Sequence, residues 1–183
     1  MIESIDSVAI PTMLRGLTLL DGYLVPAQEF CERRAISEWS LLDANLAPDM
    51  FTLVRQVQAA TDNATCGIAR LAAVEAPVFT DTEIDFDALR GRVARAFEFI
   101  ESLPQENFAQ AGTRLIDQRY RGVDQPLPGS AYLLGVLLPN FYFHVFMAYG
   151  ILLRSGVPLP PPPSGKAMDA VQARFEVIHT GGS

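Results

Sequence analysis

Residues 131–153 read AYLLGVLLPNFYFHVFMAYGILL, and the meaning of this run decides the fold. A bilayer span needs about 20 apolar residues, so the segment is long enough to be one. Three features point instead to a buried helix. Asn140 and His144 stand in mid-segment, where polar side chains are expensive in lipid. Pro139 leaves a carbonyl without its helical donor. The other apolar windows of the chain are amphipathic and need an apolar partner for their stripes. The spacing therefore predicts a central buried helix from about Gly129 to Arg154, closed by Ser155-Gly156.

Three further helices are predicted from residues recurring at three and four positions. In the first, Ile10, Met13, Leu14, Leu17, Leu20, Leu24, Ala27 and Cys31 share a stripe. Pro11 suits its first turn, and Pro26 should kink it or end it early. The second starts at Ala47-Pro48-Asp49, with Met50, Val54, Val57, Thr61, Ala64, Ile68 and Leu71 inward, and stops at Ala76-Pro77. Thr80 to Glu83 offers caps for the third, whose stripe is Phe86, Leu89, Val93, Phe97 and Ile100. Arg90, Arg92, Arg95, Glu98 and Glu101 read as its solvated face. Ile36 to Leu42 suits a short helix. Thr113 to Arg121 alternates like a hairpin arm with a turn at Gly122-Val123-Asp124. The fold class expected is all-α: a four-helix bundle with a long crossover between helices 3 and 4 that carries a short β-hairpin. Residues 1–157 form the bundle. Residues 158–183 are a Pro-rich linker and tail, opening on Pro158-Leu159-Pro160-Pro161-Pro162-Pro163.

Composition narrows the function. Of 183 residues, 49% are hydrophobic and 19% charged, which excludes disorder of the whole chain. The net charge of −7, with no run of Lys and Arg, argues against nucleic acid and against an anionic membrane surface. Cys31 and Cys66 are too few and too far apart for a disulfide framework or a zinc knuckle. The acidic MIESIDSVAIPT lacks a signal sequence's basic and apolar regions, so a cytoplasmic protein is expected.

His144 is the residue with most chemical promise. Asn140 precedes it by one helical turn, so the two share a face. They read either as a polar pocket or as core groups bonded to a neighbouring carbonyl or tyrosine. Tyr149, Tyr142, Phe141, Phe143 and Phe146 surround the imidazole in sequence. A metal site needs more ligands than one histidine. Asp62 is the best-placed carboxylate and Asp49 the next, and the plain reading of Asp62 is an exposed helix residue. His179 lies in the tail, and Cys66 has no basic neighbour to activate it.

The segments LLDANLAPDMF, RQVQAATDNA, ARLAAVEAP, FTDTE with FDALRGRV, and PGSAYLLGVLLPNFYFHVFMAYGILLRSGVPL resemble an uncharacterised bacterial domain-of-unknown-function family in the DinB-like (YfiT-like) superfamily. The resemblance covers about Ile5 to Leu159. It implies an up-down-down-up bundle, in many members a dimer. Better-known members hold a divalent metal with one histidine on the second helix and two at H-x-x-x-H spacing on the fourth. Some are thiol-dependent transferases. Here the fourth-helix positions are Asn140 and His144, and the second helix has no histidine.

The expected protein is thus a small-ligand-binding or non-catalytic homodimeric bundle with a degenerate metal triad. Its pocket is drawn from His144, Asn140, Asp62 and Tyr149, and it needs no cofactor. Two alternatives stay open. One is a metal-dependent transferase or hydrolase using His144, Asp62 and zinc or nickel. The other is a protein-interaction module.

Overall fold

The computed structural model describes residues 5–117 and 125–160, and in them the apolar stripes become four long helices. Helix α1 is Asp6–Arg34, α3 is Leu53–Ala72 and α4 is Phe86–Glu101, with a single-turn α2 at Trp39–Leu42 between the first two. The last rod, α5, is Gly129–Arg154. It is α-helical at Gly129–Tyr132 and Leu138–Arg154, and π-helical at Leu133–Leu137. The wide turn lies immediately before Pro139, where the helical ladder loses a donor.

Cross-helix contacts fix the directions. Asn140 bonds Asn63 and His144 bonds Gln56, so α5 runs antiparallel to α3. Tyr142 reaches Thr12 and Tyr149 stacks on Tyr23, so α5 runs parallel to α1. Gln28 meets Asp87 and Asp21 meets Arg90, so α4 opposes α1. The result is an up-down-down-up bundle. Two glycines let α5 sit close to its neighbours: a Cβ at Gly16 would overlap the Phe141 ring, and one at Gly67 the Leu137 side chain.

Both long connections follow from these directions. Because α3 and α4 run the same way, residues 73–85 must return along the bundle. The longer link, residues 102–128, joins α4 to α5. It contains a 3₁₀ turn at Gln105–Phe108 and the expected strand pair, Leu115–Ile116 antiparallel to Leu127–Pro128. The anticipated turn at Gly122-Val123-Asp124 lies outside the described residues, as do His179 and most of the Pro-rich tail. Leu159 still packs against the core.

Several local expectations are corrected. Helix α1 runs through Pro11, which lies beyond its first turn, and through Pro26, so of the two outcomes expected at Pro26 the early end does not occur. The carbonyls whose helical donors those prolines remove belong to Ser7 and Gly22, both exposed, where water can replace the donor. Helix α3 starts at Leu53, three residues after Met50, and stops at Ala73, which adopts a left-handed cap (φ 54°) before Ala76-Pro77 is reached. Helix α4 is capped by Asp85, whose carboxylate accepts from the Ala88 N–H at 2.7 Å, not by Thr80 to Glu83. Finally, α5 is a wall of the bundle rather than a central rod. Phe141, Val145, Ala148 and Leu152 are buried, while Phe143, Phe146 and Leu153 are exposed. By length and composition alone, α1 and α5 are each apolar enough to cross a membrane.

Candidate functional site

The two polar residues of α5 meet two amides of α3. Gln56 and Asn63 stand seven residues apart, two helical turns, and so share one face of that helix. His144, only 8% exposed, places Nδ1 2.7 Å from Gln56 Oε1. The Gln56 amide nitrogen in turn donates to the Phe51 carbonyl at 3.3 Å. Phe51 stacks on the imidazole with centroids 6.2 Å apart, and Phe143 meets it edge-on at 5.2 Å. One turn away, the Asn140 amide donates to Asn63 Oδ1, and Asn63 donates onward to the Ala59 carbonyl at 2.7 Å. The α3–α5 seam is therefore an amide–imidazole ladder. Each member is oriented by a partner that is itself held.

Asp62 is not part of this seam. It hydrogen-bonds Arg92 on α4 at 2.6 Å, so its carboxylate faces the neighbouring helix. Burial lifts its pKa above the usual carboxylate range, while Arg92 pulls it down. Asp49 is exposed in the loop before α3. Tyr149 packs against Tyr23, with ring centroids 5.0 Å apart, rather than lining a pocket with His144. Cys31 is buried and its thiol pKa is raised by burial; Cys66 is half-buried. Among the described residues, no three of His, Cys, Asp and Glu form a group able to hold a metal ion. One imidazole without further strong ligands does not make the donor set that zinc or nickel requires. The residues present do not fit a resident metal.

The helical period of α4 misplaces one residue that matters. Arg92 reads as solvated, yet it is 0% exposed. Its guanidinium binds Asp62 at 2.6 Å, Asp81 at 3.1 Å and Glu83 at 3.1 Å, and Thr61 Oγ1 at 2.7 Å. It also lies over the Phe79 ring, 5.1 Å from its centroid. Gln58 donates to Glu83 at 2.8 Å, and Arg55 pairs with Asp81. The acidic residues expected to cap α4 thus clamp the 73–85 crossover onto α3 and α4. The sequence signal was present: Arg92 adjoins Val93 and follows Leu89 by three, at the edge of the stripe.

Two of the surface hollows border polar side chains of the long helices. Gly135, Val136, Pro139, Asn140 and Phe143 line an open dimple of about 340 Å³ at the Asn140 end of the seam. A larger groove, of about 480 Å³, lies between α1 and α4, and the Asp21–Arg90 ion pair at 2.8 Å bridges it. Asp21 and Arg90 already pair with each other there, whereas the dimple borders a polar residue of the seam, Asn140, and is the better candidate for ligand chemistry.

The comparisons agree with this architecture. A family model described as a domain of unknown function, DUF1993, matches residues 6–161. The crystal structure of a DinB family member protein from Shewanella denitrificans is 35% identical in sequence, with a TM-score of 0.77. The match covers 83% of this chain and 86% of that one. No curated protein matches.

Proposed function

This chain belongs to the DUF1993 family of DinB-like bundles, and we propose from that premise that it is a non-catalytic binder of a small uncharged molecule. A hydrogen-bonded amide–imidazole seam occupies the position where better-known relatives of the fold would carry metal ligands. The observation that carries this reading is the double pairing of Asn140 with Asn63 and His144 with Gln56. It commits Asn140 and the Nδ1 edge of His144 to α3, and among the described residues no group of His, Cys, Asp and Glu joins His144 to hold a metal.

The dimple supports the ligand class. Asn140 is half-buried and lines the dimple beside Phe143, Pro139 and Val136, and its bond to Asn63 uses only one of the amide's N–H groups. One acceptor next to one donor complements an amide edge, and the apolar walls suit an aryl or alkyl body.

Benzamide is a probe with both features. In ¹⁵N–¹H correlation spectra, millimolar benzamide is expected to shift the side-chain amides of Asn140 and Asn63, and Asn140→Leu to abolish the Asn63 shift. Unmoved amides at saturating benzamide would count against the reading. Calorimetric titration of metal-stripped protein with Zn²⁺ and Ni²⁺ is expected to give no stoichiometric binding. Stoichiometric binding lost in His144→Ala would instead establish the metal-dependent alternative.

A further inference from the structure

We propose that the dimple recognises its ligand through main-chain carbonyl oxygens, set free by the wide turn of α5 and by Pro139, and that they select an NH2 group: a primary amide or a urea. This deepens the binding role above and rests on it for the ligand being uncharged; the freed acceptors follow from the helix ladder alone.

Donors run short at this turn. Where the α-helical Leu138–Arg154 segment begins, the Leu137 carbonyl takes the first helical bond, from the Phe141 N–H. Where the π-helical turn ends, the Leu138 N–H donates five residues back, to the Leu133 carbonyl. The carbonyls of Leu134, Gly135 and Val136 lie between. Pro139 has no N–H, so the Asn140 N–H is the single helical donor left for them. It stands four residues after Val136 and five after Gly135, and Leu134 is out of its reach. Leu134 therefore keeps no helical donor, and one of Gly135 and Val136 is left in the same state. Among the described residues, no side chain donates to any of the three. A proline in a plain α-helix frees one carbonyl, as at Ser7 and Gly22 in α1; here the wide turn adds a second.

The freed oxygens open on the dimple. Helical carbonyls point toward the C-terminal end of the axis, so those of Gly135 and Val136 face Pro139 and Asn140. These four residues and Phe143 are the lining. Gly135 has no side chain and lines the hollow with backbone alone; even a Cβ built on it would meet nothing within 4 Å. Single π turns of this kind occur frequently at functional sites. A carbonyl oxygen accepts and cannot donate, whereas a ligand NH2 brings two N–H groups, more than the one oxygen of the Asn140 side chain meets singly. A ketone or ester of the same shape displaces water from the main-chain oxygen and returns no donor, which costs the full desolvation of that group.

Benzamide and acetophenone test this, because they differ only in NH2 against CH3. In ¹⁵N–¹H titrations of the wild-type chain, acetophenone is expected to bind about tenfold more weakly, the worth of one well-made hydrogen bond. Pro139→Ala supplies the missing N–H and closes the α-helical ladder on Gly135. It is expected to keep its far-ultraviolet circular dichroism and to bind the two compounds within about twofold of each other. In Asn140→Leu, read at the Gly135 and Val136 amides, a preference for benzamide is expected to persist. Equal binding of the two compounds by the wild-type chain overturns the proposal. So does an undiminished preference in folded Pro139→Ala, or its complete loss in Asn140→Leu, since the Asn140 side chain would then account for recognition; the binding role survives all three results. Benzylammonium bound more tightly than benzamide would assign the oxygens to a cation and overturn the amide class. Methylurea that shifts the Gly135 and Val136 amides where benzamide does not would sink the aryl-amide reading alone and leave the main-chain acceptors standing. No shift with any of these compounds overturns both.

Discussion

Replacing Arg92 by methionine removes the cation on which three carboxylates converge. The cost is set by what is left behind. Asp62 and Asp81 have side chains 48% and 42% exposed, so water takes over when Arg92 goes. Exposed pairs of that kind are each worth about 0.2–1 kcal/mol. Glu83 is different, with a side chain only 4% exposed and the neutral amide of Gln58 as its remaining partner among the described residues. Its charge would stay buried and largely uncompensated, and breaking such a pair costs about 3–5 kcal/mol. Arg92→Met is therefore expected to lose about 3–5 kcal/mol, most of it through Glu83. For a chain of this length that is a fall in Tm on the order of 6–20 °C. The double variant Arg92→Met/Glu83→Met replaces both charges with apolar groups of similar volume and should recover most of the loss. Urea unfolding followed by circular dichroism at 222 nm, on both single variants and the double, supplies the cycle. A single-variant loss below about 1 kcal/mol would refute the claim that the crossover is clamped by a buried ion. A double variant no better than Arg92→Met would refute the assignment of the cost to Glu83.

Two other outcomes follow from buried polar groups. His144→Ala should destabilise by about 1–3 kcal/mol, because Gln56, itself buried, loses the partner of its carbonyl oxygen; an unchanged urea midpoint would show that the imidazole is not part of the fold's framework. Tyr23 is 1% exposed and its hydroxyl has no hydrogen-bond partner among the described residues, and burial, with Tyr149 and Tyr142 nearby, pushes its pKa up to about 12. The unfolded chain ionises near 10, so the neutral phenol's contribution is complete below pH 10 and lost as pH rises from there to about 12, by roughly 2–3 kcal/mol. Tyr23→Phe is expected to unfold at higher alkali than wild type and to be no less stable at pH 7. A Tyr23→Phe chain that loses stability at pH 7 would mean that the hydroxyl has a bonded partner.

How much was legible in advance depends on what kind of information each residue carried. The stripes of α1, α3 and α4 could be read because a period of 3.6 residues states which side chains are buried, whatever buries them. Val54, Val57, Ala64, Ile68 and Leu71 are all buried as that period requires. The same rule failed at Arg92, since periodicity separates apolar from polar but does not foresee three carboxylates from a crossover arriving beside a guanidinium. It failed on α5 for the opposite reason. A helix apolar on every side carries no phase, so its sequence could not distinguish Phe141, packed against Gly16, from Phe143, exposed on the outer face. In the candidate site, Asn140 and His144 were visible as polar intrusions in an apolar run. Gln56 and Asn63 were not, because an amide on an amphipathic helix looks like ordinary surface until its partner is known.

Four helices, their approximate ends, the strand pair between the last two and the polar intrusion of Asn140 and His144 into an apolar run were all determined by the sequence itself. Each is a local property, set by the chain's own period, its turn residues and the rarity of a polar group in an apolar segment. Tertiary structure alone decided that Asp62 turns to Arg92 instead of His144, that the acidic crossover is a clamp instead of a cap, and that α5 keeps one apolar face uncovered. Those outcomes depend on which helix lies beside which, and at what height. That arrangement is fixed by side chains distant in sequence competing to bury the same surface and to satisfy the same buried charge.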